Sequence, residues 1–211
     1  MSALESARPY ATLLAKGEDR RQRILAVAER LLARNGWRNT SLAQIAREAG
    51  VTPAGLLHHF ESKEQLLNAV LDARDMDDAA HADYRTGDLS EQIARVAQRF
   101  QRAPELVGTF TVLLIENIAP DAPLHDRLLE RQRAAAAIVA DIIRRGQRAG
   151  CYRQDLNPVT KAVEILAFVN GMETSWLLDP SIPLAEVFQE YAEMLARDFS
   201  PEPTPHEEIT R

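Results

Sequence analysis

Apolar side chains recur every three or four residues through most of this chain. The segment from about Asp19 to Asn35 shows this spacing, and so do Leu89 to Gln101 and Pro183 to Arg197. Further helices are predicted from Pro123 to Ala149 and from Asn157 to about Leu178. This period places apolar groups on one face of an α-helix. No segment shows the alternation of Val, Ile and Thr that is typical of strands. The pattern predicts an all-α protein.

The segment Ser41 to Phe60 combines two short helices with a glycine between them. Ser41 with Gln44 three residues later forms a capping box, so a helix begins near Leu42. Gly50 can adopt the left-handed conformation that ends a helix, and Thr52-Pro53 opens the next one. This arrangement predicts a helix-turn-helix, whose second helix enters the major groove of DNA.

The second helix of this pair has one face for the protein core and another for DNA. Leu56 and Phe60, four residues apart, are the expected anchors. A further cap at Ser62 opens the next helix and places Lys63 in its first turn, where a DNA phosphate would favour a cation. The predicted DNA-contacting residues are Ser41, Thr52, Pro53, Ala54, Gly55, Leu57, His58, His59 and Lys63.

The formal net charge of −6 is divided unevenly along the chain. Residues 1–70 hold ten Lys and Arg against seven Asp and Glu, whereas residues 71–211 hold fifteen against twenty-four. The part with the DNA-binding motif is therefore the basic part. The cations expected to neutralise phosphates are Arg20, Arg21, Arg23, Arg38, Arg47 and Lys63.

Two stretches, RILAVAERLLARNGW and TSLAQIAREAGVTPAGLLHHFESKEQLL, resemble the tetracycline-repressor (TetR) family of bacterial transcription regulators. The resemblance implies a homodimer that binds a palindromic operator and represses transcription until a small molecule releases it. It also implies that His59 contacts a phosphate. Leu57 stands where many members have tyrosine, and Ala43 where some have a base-reading arginine. Base contacts are therefore expected from His58 and from apolar groups against thymine methyls.

We expect four regions in the chain. Residues 1–18 would form a flexible arm, 19–70 the helix-turn-helix domain, 71–199 a helical ligand-binding and dimerisation domain, and 200–211 a disordered tail. The segment Pro104 to Ile118 is apolar on most sides and should be central in the fold.

Effector binding and dimerisation are both expected in residues 71–199. An apolar set with a few polar groups suits a pocket, although it suits an ordinary helical core as well. The candidate pocket residues are Phe100, Phe110, Leu114, Asn117, Asn170, Met172 and Trp176. The last two helices carry a broad apolar surface that is either internal core or, as the resemblance implies, the dimer interface. Its candidate residues are Val163, Ala167, Gly171, Thr174, Phe188, Tyr191 and Leu195.

Other functional classes find little support in the sequence. Catalytic and cofactor motifs such as GxSxG, HExxH and paired CxxC are absent, so neither an enzyme nor a cofactor is expected. His58 and His59 point about 100° apart on a helix and do not suit one metal ion. A single cysteine, the lack of a secretory signal and the lack of a long apolar run predict a cytoplasmic protein without membrane contact. The remaining alternative is a ligand-independent architectural or accessory DNA-binding protein.

Overall fold

The computed structural model describes residues 7–81 and 87–201, and all regular elements in those ranges are helices. The predicted all-α class is confirmed. None of these helices is both long and apolar enough to cross a membrane. The helices are α1 Ala7–Asn35, α2 Leu42–Glu48, α3 Pro53–His59, α4 Lys63–His81, α5 Leu89–Arg102, α6 Pro104–Glu116, α7 His125–Arg148, α8 Pro158–Leu178 and α9 Leu184–Phe199.

The first helix is longer than the sequence pattern predicts. α1 begins at Ala7, twelve residues before Asp19, so residues 7–18 of the expected flexible arm are helical. This stretch lacks an apolar period but contains three Ala and two Leu, which have high helix propensity. Residues 1–6 of the predicted arm and residues 202–211 of the predicted tail lie outside the described residues.

The chain divides into two compact units, and the first contains the helix-turn-helix. Unit 1 comprises Met1–Asp78 and Ala103–Leu128, so it includes α6 as well as the predicted domain 19–70. α6 lies against α1 and buries Val107, Phe110 and Leu113. The apolar segment that was predicted to be central is therefore central to the unit that carries the helix-turn-helix.

The second unit, Ala79–Arg102 with Leu129–Arg211, is organised around aromatic side chains. The Phe100 ring makes edge contacts with Trp176 and Phe188, each with ring centroids 5.5 Å apart. Beside Phe100 in the sequence, Arg99 donates to the buried Glu173 carboxylate at 2.7 Å. A charge pair so little exposed is tolerated because each partner compensates the other's lost hydration.

Tyr152 connects three helices of unit 2. Its hydroxyl oxygen accepts a hydrogen bond from the Leu89 N–H at 3.2 Å, at the start of α5. Its ring makes an edge contact with Phe199 near the end of α9 and lies against Gly146 of α7. A Cβ at Gly146 would overlap the Tyr152 ring, so glycine is what allows this approach.

We predict that Gly146→Ala lowers the free energy of unfolding by about 1–3 kcal/mol, the usual cost of forced overpacking. Gly17→Ala is the matched control, because Gly17 also lies inside a helix but has open space around it. There, alanine should raise stability by up to about 1 kcal/mol through helix propensity alone. Urea denaturation followed by circular dichroism measures both. Equal effects of the two substitutions would contradict the packing described for Tyr152.

Candidate nucleic-acid interface

The first helix of the helix-turn-helix begins and ends where the sequence predicts. The Ser41 hydroxyl oxygen accepts a hydrogen bond from the Gln44 N–H at 3.1 Å, which caps α2. Gly50 has φ +66°, the left-handed conformation that favours glycine. The chain turns there, and the Val51 N–H donates to the Ala46 carbonyl at 2.9 Å.

The second helix, α3, is fixed by one cap and two buried anchors. The Thr52 hydroxyl oxygen accepts from the Gly55 N–H at 3.0 Å, and Pro53 occupies the first helical turn. Leu56 and Phe60 are almost fully buried in the core of unit 1. The two anchors predicted from the sequence are confirmed, and their burial turns the other side of α3 outward.

The outward side of α3 carries the residues expected to meet DNA. Thr52, Pro53, Ala54, Leu57 and His58 are exposed. Leu57 keeps 45 % of its surface accessible, so an apolar side chain is available on this side of the helix. Gly55 and His59 are half-buried, and Ser41 at the start of α2 is exposed.

Basic side chains surround the C-terminal end of α3. The Arg21 guanidinium lies 5.1 Å from the centre of the Phe60 ring, which brings a cation of α1 to this end. Burial lowers the pKa of His59, and the neighbouring charges of His58, Arg20 and Arg21 lower it further, opposed by Glu18. His59 is therefore readily neutral at physiological pH in the absence of a negative partner.

Lys63 is placed differently from the other predicted contacts. Ser62 caps α4 as expected, accepting from the Gln65 N–H at 3.1 Å. The Lys63 ammonium, however, donates to the Trp37 carbonyl at 2.5 Å and lies 4.1 Å from the centre of the Trp37 indole ring. Burial lowers the pKa of Lys63, and the nearby Glu116 carboxylate opposes that shift. In this conformation the Lys63 ammonium faces Trp37 of its own chain.

Glu116 is a member of this region that sequence reasoning did not place here. Its carboxylate accepts a hydrogen bond from the Trp37 N–H at 2.6 Å, across 79 positions of the sequence. No local pattern connects residues so far apart. A cleft of about 420 Å³ opens beside these groups and is lined by Trp37, Arg38, Lys63, Glu116, Ala119, Asp121, Ala122 and Pro123.

The predicted pocket residues fall into two groups. Phe110 and Leu114 pack in the core of unit 1, and the Asn117 side chain bridges the Leu113 carbonyl and the Leu124 N–H. These three have structural roles in the unit of the helix-turn-helix. Phe100, Asn170, Met172 and Trp176 belong to unit 2, where Phe100 is buried and the other three are half-buried. The predicted pocket residues are therefore divided between the two units, and their contact with an effector stays a prediction.

The predicted dimer residues also divide. Val163, Ala167, Gly171 and Thr174 form an exposed stripe along α8. Two residues of α9 do not fit the prediction, because Phe188 and Leu195 are buried within unit 2 of the single chain. They are core residues whose spacing along α9 matches that of an interface. Tyr191 is half-buried and stacks on Phe168 with ring centroids 3.6 Å apart.

The described residues place no three His, Cys, Asp or Glu side chains where they could together hold a metal ion. The free Cys151 is exposed. The surface around α2 and α3 is thus a combination of helix caps, exposed small and apolar groups, histidines and arginines. That combination suits a groove of DNA.

Comparison with known proteins agrees with this geometry. Residues 24–70 match the family model of bacterial regulatory proteins, tetR family. The transcriptional regulator ArpR of Pseudomonas putida is 30 % identical over 179 residues, covering 78 % of this chain and 83 % of ArpR. The transcriptional repressor BepR of Brucella suis is 27 % identical over 173 residues, covering 77 % of this chain and 83 % of BepR.

A similar fold occurs in a solved structure of lower sequence identity. The regulator FadR of Bacillus subtilis, in complex with stearoyl-CoA, has a TM-score of 0.70 and 18 % identity, covering 84 % of this chain and 98 % of that chain. The matched helix-turn-helix, the relationship to ArpR over most of both chains and the shared all-helical fold lead to one assignment: this chain belongs to the TetR family of bacterial transcriptional regulators.

Proposed function

We propose that this protein is a repressor that binds a palindromic operator as a homodimer and is released from it by a small, largely apolar effector. The exposed face of α3, held outward by the burial of Leu56 and Phe60, is the observation that carries the proposal. The relative BepR is a transcriptional repressor, which supports repression here. DNA as the target implies that the protein works in the bacterial cytoplasm.

Base recognition rests on few groups in this proposal. Leu57, Pro53 and Ala54 are exposed and apolar, so they can contact thymine methyl groups in the major groove. His58 is exposed beside them and can hydrogen-bond to a base edge or to the backbone. Arg38 and Arg47 are exposed and available for phosphates, whose contribution is independent of sequence.

The exposed apolar stripe of α8 supports the proposed dimerisation. Val159 and Leu178 are exposed apolar residues that extend this stripe at its two ends, and Leu178 keeps 88 % of its surface accessible. Met194 of α9 is also exposed. Exposed apolar area of this kind marks interaction surfaces. A two-fold dimer would present two copies of α3 to a palindrome, which one seven-residue helix cannot read tightly alone.

We expect Val163→Glu to weaken the dimer roughly tenfold or more. A two-fold interface contains each residue twice, so the substitution would bury two unpaired carboxylates. Operator affinity should fall with dimer stability. Met76→Glu is the matched control, since Met76 is an equally apolar and even more exposed residue of α4. Sedimentation velocity and operator titration test the two variants. A stable Val163→Glu dimer would show that α8 is not the interface.

DNA binding should strengthen as the pH falls from about 8 to 6. In the free protein the pKa of His59 is lowered, and a DNA phosphate beside the ring would raise it, so binding takes up protons. The gain in operator affinity from His59 is fully present below the pKa that His59 has in the free protein. It is lost as the pH rises through the pKa that His59 has in the complex. Operator affinity measured across this range should lose most of its pH dependence in His59→Gln. An unchanged pH profile in that variant would contradict a phosphate contact by His59.

An effector site in unit 2 is supported by the aromatic cluster around Phe100. Trp176 is half-buried and contacts the Phe100 ring, and Asn170 and Met172 are half-buried on the same helix, α8. The ion pair of Arg99 and Glu173 lies on the same two helices, α5 and α8. FadR, which has the same fold, binds stearoyl-CoA, and this favours a ligand with a large apolar part.

An effector found by a thermal-shift screen of fatty acids, acyl-CoA thioesters and aromatic drugs should weaken operator binding about 5- to 150-fold. Because the coupling is reciprocal, the operator must weaken effector binding by the same factor. Trp176→Leu should lower effector affinity and leave operator affinity unchanged without effector. Equal effector affinities with and without operator would favour the ligand-independent DNA-binding protein instead.

A further inference from the structure

Two charged side chains of unit 1, Lys63 and Glu116, both contact Trp37, and we name these three residues the Trp37 clasp. The Trp37 N–H donates to the Glu116 carboxylate at 2.6 Å, and the Trp37 carbonyl accepts from the Lys63 ammonium at 2.5 Å. The same ammonium lies 4.1 Å from the centre of the indole ring. Both polar groups of one peptide residue are therefore occupied by charged side chains from α4 and α6.

The turn before Trp37 is built for the approach of Glu116. Gly36 has φ +74°, and a Cβ there would lie 2.6 Å from a Glu116 carboxylate oxygen. Glycine thus supplies both the left-handed turn that ends α1 and the space for the carboxylate. Glu116 itself is the last residue of α6, which is anchored in the core by Phe110 and Leu113. Its position is consequently set by α6.

Lys63 has two possible partners that exclude each other. It stands in the first turn of α4, four positions after α3 ends, where a phosphate of bound DNA would come close. An ammonium that is half-buried against an aromatic face and a carbonyl has already lost part of its hydration and found compensation. Contact with a phosphate requires these internal contacts to break.

We propose that Glu116 is a positioning residue for DNA binding: with Trp37 it holds the Lys63 ammonium inside the chain, and Lys63 reaches a phosphate only when the clasp opens. This inference rests on the proposed DNA-binding function. The Glu116 carboxylate acts on Lys63 in two ways. It fixes Trp37 through the N–H, and its negative charge favours a cation at the neighbouring carbonyl. Glu116 therefore limits operator affinity and its salt dependence.

The chain offers a matched control in Asp121. This carboxylate lines the same cleft and is exposed, and among the described residues it forms no hydrogen bond or ion pair with Trp37 or Lys63. Asp121→Asn and Glu116→Gln each remove one negative charge from the same surface. A general gain in attraction for DNA is expected of both. Release of Lys63 is expected only of Glu116→Gln, whose amide oxygen still accepts from the Trp37 N–H and so preserves the turn.

The first measurement examines the clasp without DNA. In a ¹H–¹⁵N spectrum of the full-length protein, the Trp37 amide shift should follow the titration of a carboxyl group as the pH falls. It should do so in wild type and Asp121→Asn, and not in Glu116→Gln. A Trp37 amide that ignores pH in wild type would overturn the clasp directly.

The second measurement uses operator fragments that wild-type protein selects from bacterial genomic DNA. Glu116→Gln should bind them roughly 5-fold more tightly per protomer at low salt, with a salt slope steeper by about one unit per protomer. Asp121→Asn should leave the slope within error of wild type. In a Lys63→Ala background, Glu116→Gln should bring no gain beyond that of Asp121→Asn. Circular dichroism verifies that each variant is folded.

Each remaining outcome decides against the proposal. Equal effects of Glu116→Gln and Asp121→Asn, or a gain that persists in Lys63→Ala, would reduce the role of Glu116 to general charge. Weaker binding by Glu116→Gln would show that Glu116 supports DNA binding instead of limiting it. In a further outcome, wild-type protein selects no DNA fragment while the chemical shift of the Trp37 amide still changes with pH. That result would refute the DNA-binding function, and with it the positioning role of Glu116, although the clasp exists.

Discussion

A helix of seven residues cannot hold its own conformation in water, and α3 has only seven. Its shape and direction depend on the burial of Leu56 and Phe60 in a core that it shares with α1, α4 and α6. This single constraint orients the residues of α3 that are expected to meet DNA. It also explains why the DNA-binding unit is larger than the helix-turn-helix, since two short helices cannot supply a core by themselves.

Helix α6 belongs to unit 1 and connects the core beneath α3 with the Trp37 clasp. α6 buries Val107, Phe110 and Leu113 against the helices that support α3, and its last residue contacts the turn between α1 and α2. Covalently, α6 follows α5 after a single residue, Ala103. A change in the position of α6 would therefore alter both the support of α3 and the state of the Trp37 clasp. The orientation of α3 and the position of the Lys63 charge therefore both depend on α6.

The sequence was sufficient for local structure because caps and turns are decided by neighbouring residues. Ser41, Thr52 and Gly50 each act within four positions, and each does what the sequence predicts. Contacts between residues far apart in the sequence could not be predicted in this way. Lys63 reaches back 26 positions and Glu116 reaches 79, and neither distance leaves a periodic pattern.

The sequence also could not decide which apolar stripes are buried inside the single chain. An apolar stripe on a helix has the same spacing whether it packs inside its own chain or against a second copy. On α9 the stripe containing Phe188 and Leu195 packs inside, whereas on α8 the stripe containing Val163 is exposed. The start of α1 was missed for a related reason, because residues 7–18 are helical by propensity without an apolar face to indicate it.

The composition of the DNA-facing surface gives each of its charges unusual weight. Leu57 and Ala43 stand where the family resemblance implies residue types that could hydrogen-bond to DNA, and burial with neighbouring positive charges lowers the pKa of His59. The protein as a whole is acidic, so distant charges do not attract DNA. In the proposed complex, binding then depends on a small number of cations close to the phosphates. On the proposal that Lys63 is one of these cations, a fold that holds its ammonium against an indole ring adjusts the affinity for DNA by moving a single side chain.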